Sequence, residues 1–104
     1  MSTPRKRLSG VALEHLKAAD QAIAYAVDMS RQATRKREEA EQLLTKVENI
    51  DLIKNNPRHV VDVLMVHARI TAQASRLDAD ARTAMEEARR FMTAAKYAHK
   101  EDEP

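Results

Sequence analysis

Alanine recurs at seven-residue intervals in two long segments of this chain. The positions are Ala12, Ala19, Ala26, Ala33 and Ala40 in the first segment and Ala74, Ala81, Ala88 and Ala95 in the second. A seven-residue repeat places its members in one row along an α-helix, and such a row is typical of the contact between two packed helices. The two rows therefore predict two long helices that approach each other closely, because the residues between them are small.

The composition supports an all-α fold. The 104 residues include one Gly and three Pro, only 3% are aromatic, and 33% are charged. Gly and Pro interrupt helices, whereas strands need β-branched and aromatic residues alternating with polar ones, a pattern that does not occur here. We expect one small helical domain and no sheet.

The dipeptide Asn56-Pro57 gives the clearest helix start, because Asn caps free backbone N–H groups and Pro is favoured in the first helical turn. A second helix that begins there folds back along the first, which predicts a long antiparallel helical hairpin. In the link between the helices, Ile50, Leu52 and Ile53 are expected to cover the end of the hairpin. The predicted boundaries are a basic arm at 1–10, helix 11–48, a link at 49–56, helix 57–99 and an acidic tail at 100–104.

A second set of apolar residues lies outside the two alanine rows. Its members are Val11, Ala18, Ala22, Tyr25 and Met29 on the first helix and Val61, Met65, Ala68 and Ala72 on the second. A lone hairpin lined with alanine buries little apolar area against the entropy cost of ordering its backbone. We therefore expect these residues to form a protein interface, with two hairpins stacked antiparallel as a homodimer in a four-helix bundle. The alternative is that they pack on a different protein.

Basic residues gather near the middle of both helices, and no acidic residue lies within 31–37 or 67–77. A candidate nucleic-acid-binding set consists of Arg5, Lys6 and Arg7 in the arm, Arg31, Arg35 and Lys36 on the first helix, and Arg69 and Arg76 on the second. Contacts of such side chains with phosphates supply most non-specific affinity for nucleic acid. Arg37 is left out because it falls in the row of the helix contact. The alternative is a solvated face whose charges pair with the glutamates that follow, since no aromatic residue stands among them for base stacking.

The sequence offers no pattern typical of catalysis or of a bound cofactor. It contains no Cys and no Gly-rich phosphate loop, and the four His residues lack the spacing of metal ligands. No stretch approaches the ~18 apolar residues of a membrane span, so we expect a cytoplasmic protein. The pattern favours a non-enzymatic structural or adaptor protein that self-associates and binds a further protein, with nucleic-acid binding as the alternative.

Overall fold

The computed structural model describes residues 8–101, with side chains for residues 8–99, and this part of the chain is all-α. Helix α1 spans Gly10–Lys46, α2 spans Ile50–Asn55 and α3 spans Pro57–Glu101. No strand occurs among the described residues. The two long helices pack against each other, so the predicted helical hairpin is confirmed. The predicted basic arm and acidic tail lie largely outside the described residues.

Helix α1 begins one residue earlier than predicted because Ser9 caps it. The backbone N–H of Ala12 donates to the Ser9 hydroxyl at 3.1 Å, and the N–H of Leu13 donates to the Ser9 carbonyl at 2.9 Å. These bonds satisfy N–H groups that have no partner inside the first turn of a helix. The cap therefore fixes where α1 starts.

The segment predicted as a link is mostly helical. Asn49 adopts an extended conformation and its side chain accepts a 2.9 Å hydrogen bond from the Asp51 N–H, which starts the six-residue helix α2. Asn56 ends α2 and caps α3 as predicted, because its side-chain oxygen accepts a 3.4 Å hydrogen bond from the His59 N–H. Two asparagine caps on either side of a short helix thus make the turn between α1 and α3.

The chain forms two compact units. The first unit combines the beginning of α1, up to Ala26, with the end of α3, from Arg82, and the second unit is Val27–Ala81, which includes α2. The buried residues are Ala12, Ala19, Ala26, Ala84, Ala88 and Ala95 in the first unit and Ala33, Ala40, Val47 and Ala74 in the second. The predicted alanine rows are therefore the core of each unit.

One predicted member of the rows differs from the rest. Ala81 is only half-buried, while Ala84, three residues further along α3, is buried. The largest residue of the core is Val47, and no large side chain among residues 8–99 is fully buried. Each unit is consequently held by contacts between small residues, and the larger apolar side chains lie beside the core with part of their surface in water.

Candidate interaction surfaces

The apolar residues predicted as an interface on α1 lie along one flank of its alanine row. Ala22 and Met29 each follow a buried alanine by three residues, which turns them about 60° from the row in a helix of 3.6 residues per turn. Val11 and Tyr25 are more than half exposed, at 58% and 52%. Ala18, Ala22 and Met29 are half-buried. This flank is an apolar strip next to the helix contact.

The apolar residues predicted as an interface on α3 lie elsewhere on their helix. Val61, Met65, Ala68 and Ala72 are all exposed. Ala72 precedes the buried Ala74 by two residues, which turns it roughly 160° from the row, so it faces away from α1. The two predicted sets are therefore surfaces of different kinds, one beside the helix contact and one behind it.

A ring contact marks the α1 flank in the first unit. His15 and Phe91 stack with their ring centroids 6.4 Å apart and an angle of 28° between the planes, within the range of favourable aromatic pairs. His15 precedes Ala22 by seven residues and Phe91 follows Ala84 by seven, so each lies in the same row as its alanine. We call this surface the His15 side; it consists of Val11, His15, Ala18, Ala22 and Tyr25 from α1 and Ala84, Phe91, Ala94 and Ala98 from α3.

The opposite flank of the first unit was not predicted as a surface. Its apolar residues are Leu13, Leu16 and Ile23 from α1 and Met85 and Met92 from α3, and we call it the Leu16 side. Leu16 and Ile23 are seven residues apart, as are Met85 and Met92, so a seven-residue spacing was present in the sequence as a signal. Leu13, Leu16, Met85 and Met92 remain 36–44% exposed. Both flanks of this unit therefore offer apolar area to water.

An ion pair joins the two long helices in the second unit. Arg37 of α1 donates a hydrogen bond to the carboxylate of Asp78 of α3. This contact explains why Arg37 occupies a position close to the helix contact: its guanidinium reaches across to a partner on the other helix. Arg37 is thus engaged in holding α1 against α3.

The basic residues singled out in the sequence do not form one surface. Lys36 pairs with Glu39 at 3.7 Å, while Arg31, Arg35, Arg69 and Arg76 are exposed and take part in no ion pair among the described residues. Arg31 precedes the buried Ala33 by two residues and Arg76 follows the buried Ala74 by two, so each points away from the opposite helix. The arginines accordingly form two patches on the outer faces of α1 and α3, and Arg5, Lys6 and Arg7 lie outside the described residues.

Comparison with protein-family models, with curated proteins and with solved structures found no match. What the surfaces of this protein can bind must therefore be inferred from their own side chains. Among the described residues no group of three or more His, Cys, Asp or Glu side chains is placed to hold a metal ion. None of the described helices is long and apolar enough to cross a membrane.

The residues of α2 cover the end of the hairpin less completely than the sequence predicted. Ile50, Leu52 and Ile53 were expected to cover the end of the hairpin, but Ile50 is 59% exposed and Ile53 is also exposed, leaving Leu52 as the half-buried member. The reason is the helical form of the link, because α2 turns successive residues about 100° apart and directs only one of the three inward. The exposed isoleucines add a further apolar surface near the turn.

Proposed function

We propose that the protein is a non-enzymatic structural or adaptor protein that acts through helix–helix contacts with other proteins and through self-association. One observation carries this proposal: the buried residues among 8–99 are nine alanines and one valine, whereas large apolar side chains such as Val11, Tyr25, Val61 and Met65 are more than half exposed. A chain that exposes large apolar side chains and buries small ones can gain further apolar stabilisation by association.

The arrangement of the exposed apolar residues also supports binding to helices of other proteins. They lie in rows with helical spacing on both long helices, and amphipathic helices bury such rows by laying them against another helix. The surfaces available are the His15 side, the Leu16 side and the outer set Val61, Met65, Ala68 and Ala72. Several distinct surfaces on one chain suit a protein that holds others together.

The mass of the protein in solution tests the proposal. Sedimentation equilibrium between about 1 and 100 µM, a range in which an interface of ordinary size is populated, is expected to give twice the chain mass of 11.8 kDa. A constant mass of one chain over this range would overturn self-association. The adaptor role would then depend on a different protein that binds these surfaces.

Nucleic-acid binding is the second candidate function, and it is favoured by the four exposed arginines that form no ion pair within the part of the chain that the structure describes. Because Arg31 and Arg35 lie on one outer face and Arg69 and Arg76 on another, each pair is replaced separately by Gln. Loss of two phosphate contacts is expected to weaken binding uniformly across sequences and to lower the slope of log affinity against log salt by about 1.8 for duplex DNA or about 1.4 for a single strand. The control is the double variant Arg82→Gln and Arg89→Gln, which removes the same charge from exposed positions of α3 that are turned more than about 100° from Arg76.

A measurement on the wild-type protein alone can contradict this candidate function. Electrostatic binding is strongest at low ionic strength, so absence of any complex at about 50 mM salt would show that the arginines serve only as a solvated surface.

A further inference from the structure

We infer that the His15 side of the first unit is the surface on which a second copy of this chain packs, and that the Leu16 side stays in water in that dimer. This inference rests on the self-association proposed above and assigns it to particular residues. Both sides carry apolar residues, so the assignment depends on what distinguishes them.

The exposed area of the chain is the first argument for a second copy. The chain exposes 8357 Å², whereas a compact protein of its mass, 11.8 kDa, exposes about 5,900 Å². Residues 1–7 and 102–104 contribute at most about 1,700 Å² in any conformation, so the described part still exceeds the area of a compact protein of its own mass by roughly 1,100 Å². Two copies that each bury this surplus form an interface of about 2,200 Å², which lies in the range of stable homodimers.

Charge distinguishes the two sides. On the Leu16 side four charged residues lie in the outer rows beside the apolar residues and are all exposed, namely Asp20, Arg82, Arg89 and Lys96. On the His15 side the acidic residues in the corresponding rows are Glu87, at the outer edge, and Glu101, at the end of α3. A two-fold interface brings the same patch of both copies together, and the centre of such an interface is depleted in charged residues. The His15 side carries two such residues and the Leu16 side four, so the His15 side meets this requirement better.

The charged residues of the Leu16 side also give its apolar residues a reason to remain in water. Arg and Lys lay their methylene chains along apolar surface while their charged ends stay hydrated. Arg82, Arg89 and Lys96 are spaced seven residues apart on α3, the same spacing as Met85 and Met92. This row can shield the methionines without a partner protein.

The shape of the His15 side is the third argument. The stacked rings of His15 and Phe91 are bulky, and the next residues in the same rows are Ala22 and Ala84, which are small. Alternation of large and small residues lets two faces interdigitate at the packing density of a protein interior. A second copy related by a two-fold axis can place its His15 and Phe91 rings over Ala22 and Ala84 of the first copy.

Matched substitutions on the two flanks of α1 test the assignment. Val11→Glu and Tyr25→Glu place a carboxylate on the His15 side, and Leu13→Glu and Val27→Glu place one on the opposite flank, two residues away in each case. The four residues are 58%, 52%, 44% and 43% exposed, so none of the changes inserts charge into the core of the hairpin. Circular dichroism is expected to show the same helix content in all four variants.

The dimer dissociation constant, measured by sedimentation equilibrium, is expected to rise roughly 100-fold for Val11→Glu and Tyr25→Glu, because each copy then carries an unpaired carboxylate into a desolvated contact. Leu13→Glu and Val27→Glu are expected to dimerise as the wild type does. A dimer that resists the first two variants, or that is broken by the second two, would overturn the assignment while self-association stands. A monomeric wild type would overturn both.

Discussion

Arg37 in α1 donates a hydrogen bond to the carboxylate of Asp78 in α3, and this ion pair joins the two long helices within the second unit. The two side chains are 51% and 34% exposed, so water and salt screen the attraction between them. The ion pair therefore positions α1 against α3 more than it adds to the free energy of unfolding. A double-mutant cycle with Arg37→Gln and Asp78→Asn is expected to give a coupling energy of about 0.2–1 kcal/mol that falls in ~1 M salt. A coupling above ~3 kcal/mol, typical of a desolvated pair, would contradict this view.

The alanine rows predict a sharp contrast between neighbouring positions of α1. Ala26 is buried and Ala24 is exposed. Ala26→Leu is expected to lower the free energy of unfolding by about 1–3 kcal/mol, because closely packed helices must move apart to admit the added carbons. Ala24→Leu, which adds the same atoms in water, is expected to change it by at most ~0.5 kcal/mol. Urea denaturation monitored by circular dichroism measures both values, and equal effects would mean that α1 does not meet α3 through this row.

The cap at the start of α3 gives a second pair of neighbouring variants. Asn56→Ala removes the side-chain oxygen that accepts the His59 N–H and is expected to cost about 1 kcal/mol. Asn55→Ala changes the last residue of α2, whose side chain makes no hydrogen bond among the described residues, and is expected to cost less than ~0.5 kcal/mol. Thermal melts of the two variants compare them directly. The cap would be unimportant if Asn56→Ala melted with the wild type.

The helical link predicts that its three large apolar residues contribute unequally. Leu52 is half-buried, so Leu52→Ala is expected to cost about 1 kcal/mol through lost apolar contact. Ile50→Ala, at a position that is mostly in water, is expected to stay within ~0.5 kcal/mol of the wild type. Chemical denaturation of the two proteins under identical conditions gives the comparison. A larger loss for Ile50→Ala would mean that it is covered in solution, for instance by a second copy.

The sequence was sufficient for the fold because its strongest signals are local. The seven-residue alanine rows identified the core, and Asn56-Pro57 located the start of α3, since a cap and a periodic row depend only on residues close in the chain. Ser9 and Asn49 were missed as caps, although both are residue types that favour that role. Capping residues were thus present at every helix start, but the start of α1 was predicted one residue late and α2 was not predicted at all.

The surfaces were harder to predict because they depend on direction around the helix as well as spacing. The sets Val11–Met29 and Val61–Ala72 were treated as equivalent, yet the first flanks the helix contact and the second faces away from it. The basic residues were likewise treated as one set. In the structure Arg31 points outward from α1 and Arg76 points outward from α3, so they lie on different surfaces. The pairing of Arg37 with Asp78 needs the register of α1 against α3, which follows from the length and form of the link and not from either helix alone.

The uniform size of the core residues leaves open how α1 and α3 keep their alignment. In the first unit a slip of α3 along α1 by seven residues, about 10.5 Å, would put Ala95 in the place of Ala88, against alanine again, although it would bring Phe91 to the place of Ala84. The contacts of Ala88 and Ala95 alone therefore do not fix the register of the two helices. Alignment must come from residues off the row, namely the stacked rings of His15 and Phe91, the ion pair of Arg37 with Asp78, and the short capped turn around α2. Lengthening that turn would give the hairpin several nearly equivalent ways to close.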